Sequence, residues 1–245
     1  MRSYGEAVER KTVVIHNSYD AADFDSPTPP AEDRFTLSYV GAMYDAHDPE
    51  PFLQAVARLV GERPDVRERL RVRLVGAGAP RVARRAQALA IADVVVVQEP
   101  VSHAEALRLQ RAAHALLLFL TVPSDHSTFV PSKLFEYVAA NRPILAVTRG
   151  GALDRLLRGH GLTPWIFIPE DTIGIAHGIL NLFERYERGT LPRLADAVVR
   201  SFSGEQAAQK LAAVLDAAAA GGPLPATAAG VPAPEVVPAA EAVAP

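Results

Sequence analysis

Lys133 and Glu136 stand three residues apart near the start of the run FVPSKLFEYVAANRPILAV, residues 129–147, and together they suit a nucleotide diphosphate. Pro131 fits a first helical position, where its missing N–H costs nothing, and the amides of the following turn then point beyond the helix end. An anion is the natural occupant of that place. Ser132, Lys133 and Leu134 form this first turn. Lys133 adds a mobile cation, and Glu136 on the same face offers a carboxylate to ribose hydroxyls. The turn Asn141-Arg142-Pro143 then leads into ILAV, so the segment reads loop, helix, turn, strand. Taken alone, KLFEY also describes an ordinary amphipathic helix, with Leu134, Phe135 and Val138 in the core and Lys133 and Glu136 solvated as an i,i+3 pair.

The elements that must position these residues alternate along the chain. TVVI (12–15), TLSYV (36–40), VRLV (72–75), VVVV (94–97), ALLLFL (115–120), ILAV (144–147) and WIFI (165–168) read as strands. Several are apolar throughout, as strands covered on both faces should be. Helical periodicity fills residues 50–62, 80–90, 103–112, 131–140 and 151–158 between them. Further helices are expected over 173–188, 192–199 and 203–215, the last capped by Ser203. Repeated strand–helix–strand units predict an α/β fold with a right-handed, doubly wound, mainly parallel Rossmann-like sheet. Ligands of such sheets bind at the C-terminal strand ends, so the loops there are read together.

After the second strand, Gly41 lets a ligand approach the backbone, and the same loop carries His47 and the pair Asp48-Pro49, an N-cap followed by an N1 proline. His47 is either a phosphate ligand or a solvated loop histidine. Gly76 opens the turn GAGAP after the next strand; it is a tight structural turn with backbone proximity to a ligand as the second reading, and Arg81 in place of a third glycine excludes a dinucleotide fingerprint. Ser102 and Glu105 spell a capping box for the helix that begins near His103. The loop TVPSDHSTFV, residues 121–130, brings Asp125, His126 and Thr128 towards the Lys133 helix.

The segment 129–147 resembles the nucleotide-sugar-binding motif in the C-terminal half of retaining glycosyltransferases of the two-domain GT-B class, in particular family 4, or group 1. The likeness runs from about Thr12 to Asp216, with IHNSYDAADF similar to the family's interdomain segment and FSGEQAAQKLAAVLD to its terminal helix. It implies that the backbone of Pro100 and Val101 lies against the nucleotide base, and that the Gly41 loop approaches the diphosphate. Four positions depart from the pattern: His16 and Ser18 replace the proline and glycine of the interdomain segment, Ala42 stands where many members have arginine, and Thr128 where many have a glutamate near the donor sugar. The resemblance implies a UDP-sugar as the donor, with GDP-sugars open, and transfer with retention. It places the acceptor site in an N-terminal domain, of which only about a dozen residues precede the interdomain segment, so that domain is expected to be absent and no catalytic residue is assigned.

Composition bounds these readings. The net charge is −3, the isoelectric point about 6.2, and there is no basic run, which argues against nucleic acid. Lys11, Lys133 and Lys210 are the only lysines, and cysteine is absent, so disulfides and thiolate chemistry are excluded. No signal-type or membrane-length apolar run is present, which makes the cytoplasm the simplest location, with peripheral attachment at the inner membrane face open. Three segments follow: a lead-in over 1–11, the donor-binding domain over 12–216, and an Ala/Pro-rich tail over 217–245 expected to be disordered. No cofactor or metal is expected; the nucleotide sugar is a substrate, and a separate acceptor-domain protein is a possible partner. The alternatives are a non-catalytic nucleotide-binding or interaction module and half of a nucleotide-sugar epimerase.

Overall fold

The structure, a computed structural model, describes residues 11–43, 47–121 and 129–225. A 3-10 turn, Ala21–Phe24, precedes β1 (Phe35–Val40), α1 (Glu50–Glu62), α2 (Pro64–Arg69), β2 (Leu70–Val75), α3 (Ala79–Ala88) and β3 (Val95–Gln98). Then follow α4 (His103–Ala112), β4 (Ala115–Leu120), α5 (Lys133–Ala140), β5 (Ile144–Thr148), α6 (Gly151–Gly159), β6 (Trp165–Phe167), α7 (Thr172–Glu187), α8 (Asp196–Arg200) and α9 (Gly204–Ala219).

All strand pairs are parallel, and the sheet order is β3-β2-β1-β4-β5-β6. The chain starts in the middle, winds out to β3 and returns to β4, so the order reverses between β1 and β4. That reversal opens a crevice at the C-terminal strand ends. Strand pleating sends alternate side chains to opposite faces. Leu117 and Phe119 of β4 pack with Phe35, Leu37 and Tyr39 against α1 and α7. Leu116, Leu118 and Leu120 pack with α5 and α6 on the other face. Every residue of β4 is buried, and each fully buried leucine contributes about 1.5–3 kcal/mol, so the strand beside the crevice is firmly held.

The strands from β1 to β6 match the expected runs, and α1 and α4 match their expected helices residue for residue. TVVI is the exception: residues 12–15 form no strand. Val14 is 52% exposed there, and the lead-in pairs further on, where Tyr19 N–H donates to Phe202 O (3.2 Å) and Gly204 N–H to Tyr19 O (2.9 Å). Helix α8 is shorter than the expected 192–199 segment, because residues 191–195 stay extended while Leu194 N–H is held by the Asn141 side chain at 2.7 Å. Helix α2 has no expected counterpart; Pro64 starts it one residue after α1 ends. Helix α9 runs to Ala219, past the boundary placed at 216, because alanine carries the helix on until the glycine pair at 221–222. The rest of the tail, from 226, and the lead-in up to 10 lie outside the described residues.

Candidate functional site

The loops after β1 and β2 meet at the C-terminal edge. Gly41 follows β1 with φ +147°, and its N–H donates to Val75 O at 2.8 Å. Gly76 follows β2 with φ +139°, and a Cβ there would lie 1.9 Å from Gly41 O. Gly76 is therefore required by the packing of one loop on the other. Asp48 does not cap α1 in the expected register: Pro49 is the N-cap, while Asp48 Oδ1 accepts from Glu50 N–H at 3.2 Å. Ser102 caps α4 as expected, accepting from Glu105 N–H at 3.3 Å.

Helix α5 begins at the mouth of the β1/β4 crevice. Its helical stretch starts at Lys133, with Ser132 as the N-cap, so Pro131 lies ahead of the first helical position rather than in it. The Pro131 carbonyl instead accepts from Leu134 N–H at 3.1 Å, and Ser132 O accepts from Phe135 N–H at 3.0 Å. Only the amides of Ser132 and Lys133 are then placed to point beyond the helix end. Leu134 has its side chain fully buried in the core and its amide engaged with Pro131 O. Ser132 is exposed, and its hydroxyl makes no capping bond.

Lys133 does not pair with Glu136 in the manner of a solvated surface pair. Its ammonium donates to Tyr39 Oη at 2.6 Å and lies 4.0 Å from the centre of that ring, while Tyr39 Oη donates in turn to Ala42 O at 2.6 Å. A Cβ on Gly41 would come within 2.2 Å of Lys133 Nζ, so the glycine is what lets the lysine cross the loop. Burial pulls the Lys133 ammonium from 10.5 down to about 8, with the Glu136 carboxylate opposing. Burial pushes the Tyr39 phenol up, and Tyr137 adds to the shift. Glu136 is half-buried; its Oε2 accepts from Gln110 Nε2 at 2.8 Å, a bond that fixes the orientation of the amide. Gln110 is 1% exposed and its Oε1 has no partner.

The other expected residues lie around this pair. His47 faces Phe129 edge-on at 6.3 Å, and burial, then the Lys133 charge, lowers its pKa. Pro100 and Val101 are exposed beyond the edge strand β3, which lies two strand spacings or roughly 10 Å from β1. Thr128, Asp125 and His126 lie outside the described residues. Tyr39, Gln110 and Tyr137, whose hydroxyl accepts from Val40 N–H at 3.3 Å, were not singled out by motif. Their signal is a polar tip on a buried face, which must find a partner. The assembled site presents a cation with donors to spare and a braced carboxylate, which suits binding of a polyanion and a diol. Among the described residues, no group of three or more histidine or acidic side chains is placed to hold a metal, and no helix is long and apolar enough to cross a membrane.

Known proteins share this architecture. The Rickettsia africae glycosyltransferase structure superposes with a TM-score of 0.63 at 15% identity, covering 82% of this chain and 55% of that one. Anabaena Alr3699/HepE in complex with UDP-glucose gives 0.59 at 14% identity, over 76% of this chain and 49% of that one. The D-inositol 3-phosphate glycosyltransferase of Streptomyces coelicolor is 30% identical over 200 residues, 76% of this chain and 41% of that protein. The protein of the same name from Thermobifida fusca is 32% identical over 127 residues, 49% of this chain and 28% of that protein. The chain thus spans less than half the length of these curated relatives. The family described as glycosyl transferases group 1 matches residues 34–185, from β1 into α7, and the chain belongs to that family.

Proposed function

We propose that this domain binds the donor of a glycosyl transfer, a nucleotide diphosphate sugar, with UDP as the nucleotide. The observation that carries this reading is the placement of Lys133 and Glu136 at the β1/β4 crevice, the cation without a carboxylate partner among the described residues and the carboxylate braced by Gln110. The diphosphate lies at the start of α5 against Lys133, and Glu136 accepts from the ribose hydroxyls with its other oxygen. Pro100 and Val101 border the base. The similar fold of a protein solved with UDP-glucose supports the choice of nucleotide. Transfer proceeds with retention and requires an acceptor half that aligns the acceptor hydroxyl and excludes water.

Support for a separate acceptor half comes from α9, which buries none of its residues. Leu211 and Leu215 on it are 50% and 59% exposed. A second reading, a nucleotide-binding module without transfer, is favoured by the weak basic character of the Gly41 loop: Ala42 replaces an arginine, and burial disfavours a charge on His47. Calorimetric titration with UDP, GDP and their sugar conjugates, against uridine and guanosine, tests the binding. Saturable binding that requires the diphosphate supports a donor site, and none at millimolar ligand refutes it. Transfer measured after adding the matching acceptor half separates the two readings.

A further inference from the structure

Tyr39 sits on β1 two residues ahead of Gly41, fully buried, with its ring stacked on Phe119 at 4.8 Å between centres. Its hydroxyl has one proton, and that proton is committed to the Ala42 carbonyl at 2.6 Å. The oxygen's lone pairs are left to accept, and the Lys133 ammonium donates to them at 2.6 Å. The three groups form a directed chain: ammonium to phenol to backbone carbonyl. Charge-assisted hydrogen bonds are the strong ones, and members of such a chain polarise one another. The ammonium has three protons, and among the described residues one is committed, which leaves two for a ligand. Without this anchor, a four-carbon stem would let the cation sample many positions.

We propose that Tyr39 is the positioning residue for Lys133: its hydroxyl, fixed on the Ala42 carbonyl, holds the ammonium across Gly41 in the place where a diphosphate is recognised. This rests on the donor-binding reading above. The surroundings agree with a site waiting for an anion. His47 from the loop after β1, Glu136 from α5, and Tyr39 and Tyr137 are the titratable groups around Lys133, and Glu136 is the one carboxylate among them that the described residues bring near. Burial leaves the ammonium under-solvated, as its lowered proton affinity records, and an incoming diphosphate supplies the missing counter-charge.

Tyr39→Phe keeps the ring and its stacking while removing the acceptor. UDP and uridine are titrated calorimetrically against both proteins, and the Lys133 proton affinity is followed by NMR of 13Cε-labelled lysine, where three lysines give three signals. The expected result is a loss of about tenfold or more in UDP affinity with uridine affinity unchanged, from the lost bond to a charged group, and a Lys133 titration moved below that of the wild type. A purely structural tyrosine would weaken both ligands together or neither. An unchanged UDP-to-uridine ratio in a wild type that binds UDP overturns the role of Tyr39. A wild type that does not distinguish UDP from uridine overturns the donor-binding reading instead, and the NMR titration still reports on the Tyr39 contact: a Lys133 titration that the variant leaves in place overturns it.

Discussion

Replacing Lys133 by methionine should make the free protein more stable while removing its affinity for diphosphates. The unperturbed lysine value is 10.5 and the folded one about 8, an interval worth roughly 3 kcal/mol against the charged form. The sign follows from proton counting. Between about 8 and 10.5 the unfolded chain keeps a proton that the folded chain has shed, so stability rises with pH across that window. Below about 8 both states are charged, and the full cost is carried at pH 7. Methionine fills the same volume without a charge, and Tyr39 keeps its bond to Ala42. After allowing for the lost contact with the Tyr39 ring and hydroxyl, a gain of about 2 kcal/mol remains at pH 7. At about 2–4 °C per kcal/mol for a domain of this size, the melting temperature rises by roughly 4–8 °C. Urea unfolding of both proteins from pH 7 to 10 is the assay. The difference between them should be largest at pH 7 and shrink above pH 8. A variant less stable than the wild type at pH 7, or a difference that does not change with pH, would refute the reasoning.

Two further substitutions separate the parts of the site. Glu136→Ala should weaken UDP and uridine alike by about 1.5–3 kcal/mol, because it removes an ionised acceptor for the ribose common to both; calorimetry that shows a loss confined to UDP would contradict the ribose assignment. Gly76→Ala should destabilise the fold by about 2–4 kcal/mol, since its Cβ would meet Gly41 O at 1.9 Å on a backbone at φ +139°, and urea unfolding with an unchanged midpoint would be inconsistent with that packing.

The sheet was legible because β4 and the ILAV run of β5 are buried on both faces and apolar without interruption, while β1 keeps apolar residues on either side of the buried Thr36 and Ser38. TVVI misled because β-branched residues signal strand propensity, whereas a strand also needs an edge to pair with. The Lys133 and Glu136 pair was visible from spacing, but its partners were not. Tyr39 lies 94 residues from Lys133 and Gln110 lies 26 from Glu136, so only the fold brings them together. Leu134 was drawn into the site by its neighbours, although its place on the buried side of α5 assigns it to the core. Gly76 shows the limit of a short motif: the same turn serves ligand approach or loop packing, and only the fold reveals the 1.9 Å contact that makes packing need the glycine.

The most direct test of the central claim is the titration of Lys133 itself, observed by NMR of 13Cε-labelled lysine with and without saturating UDP. A lysine near 8 in the free protein that moves back towards 10.5 with UDP, and stays near 8 with uridine, is what a diphosphate held against Lys133 requires. A Lys133 signal that titrates at the same pH in the presence of UDP as in its absence would contradict it.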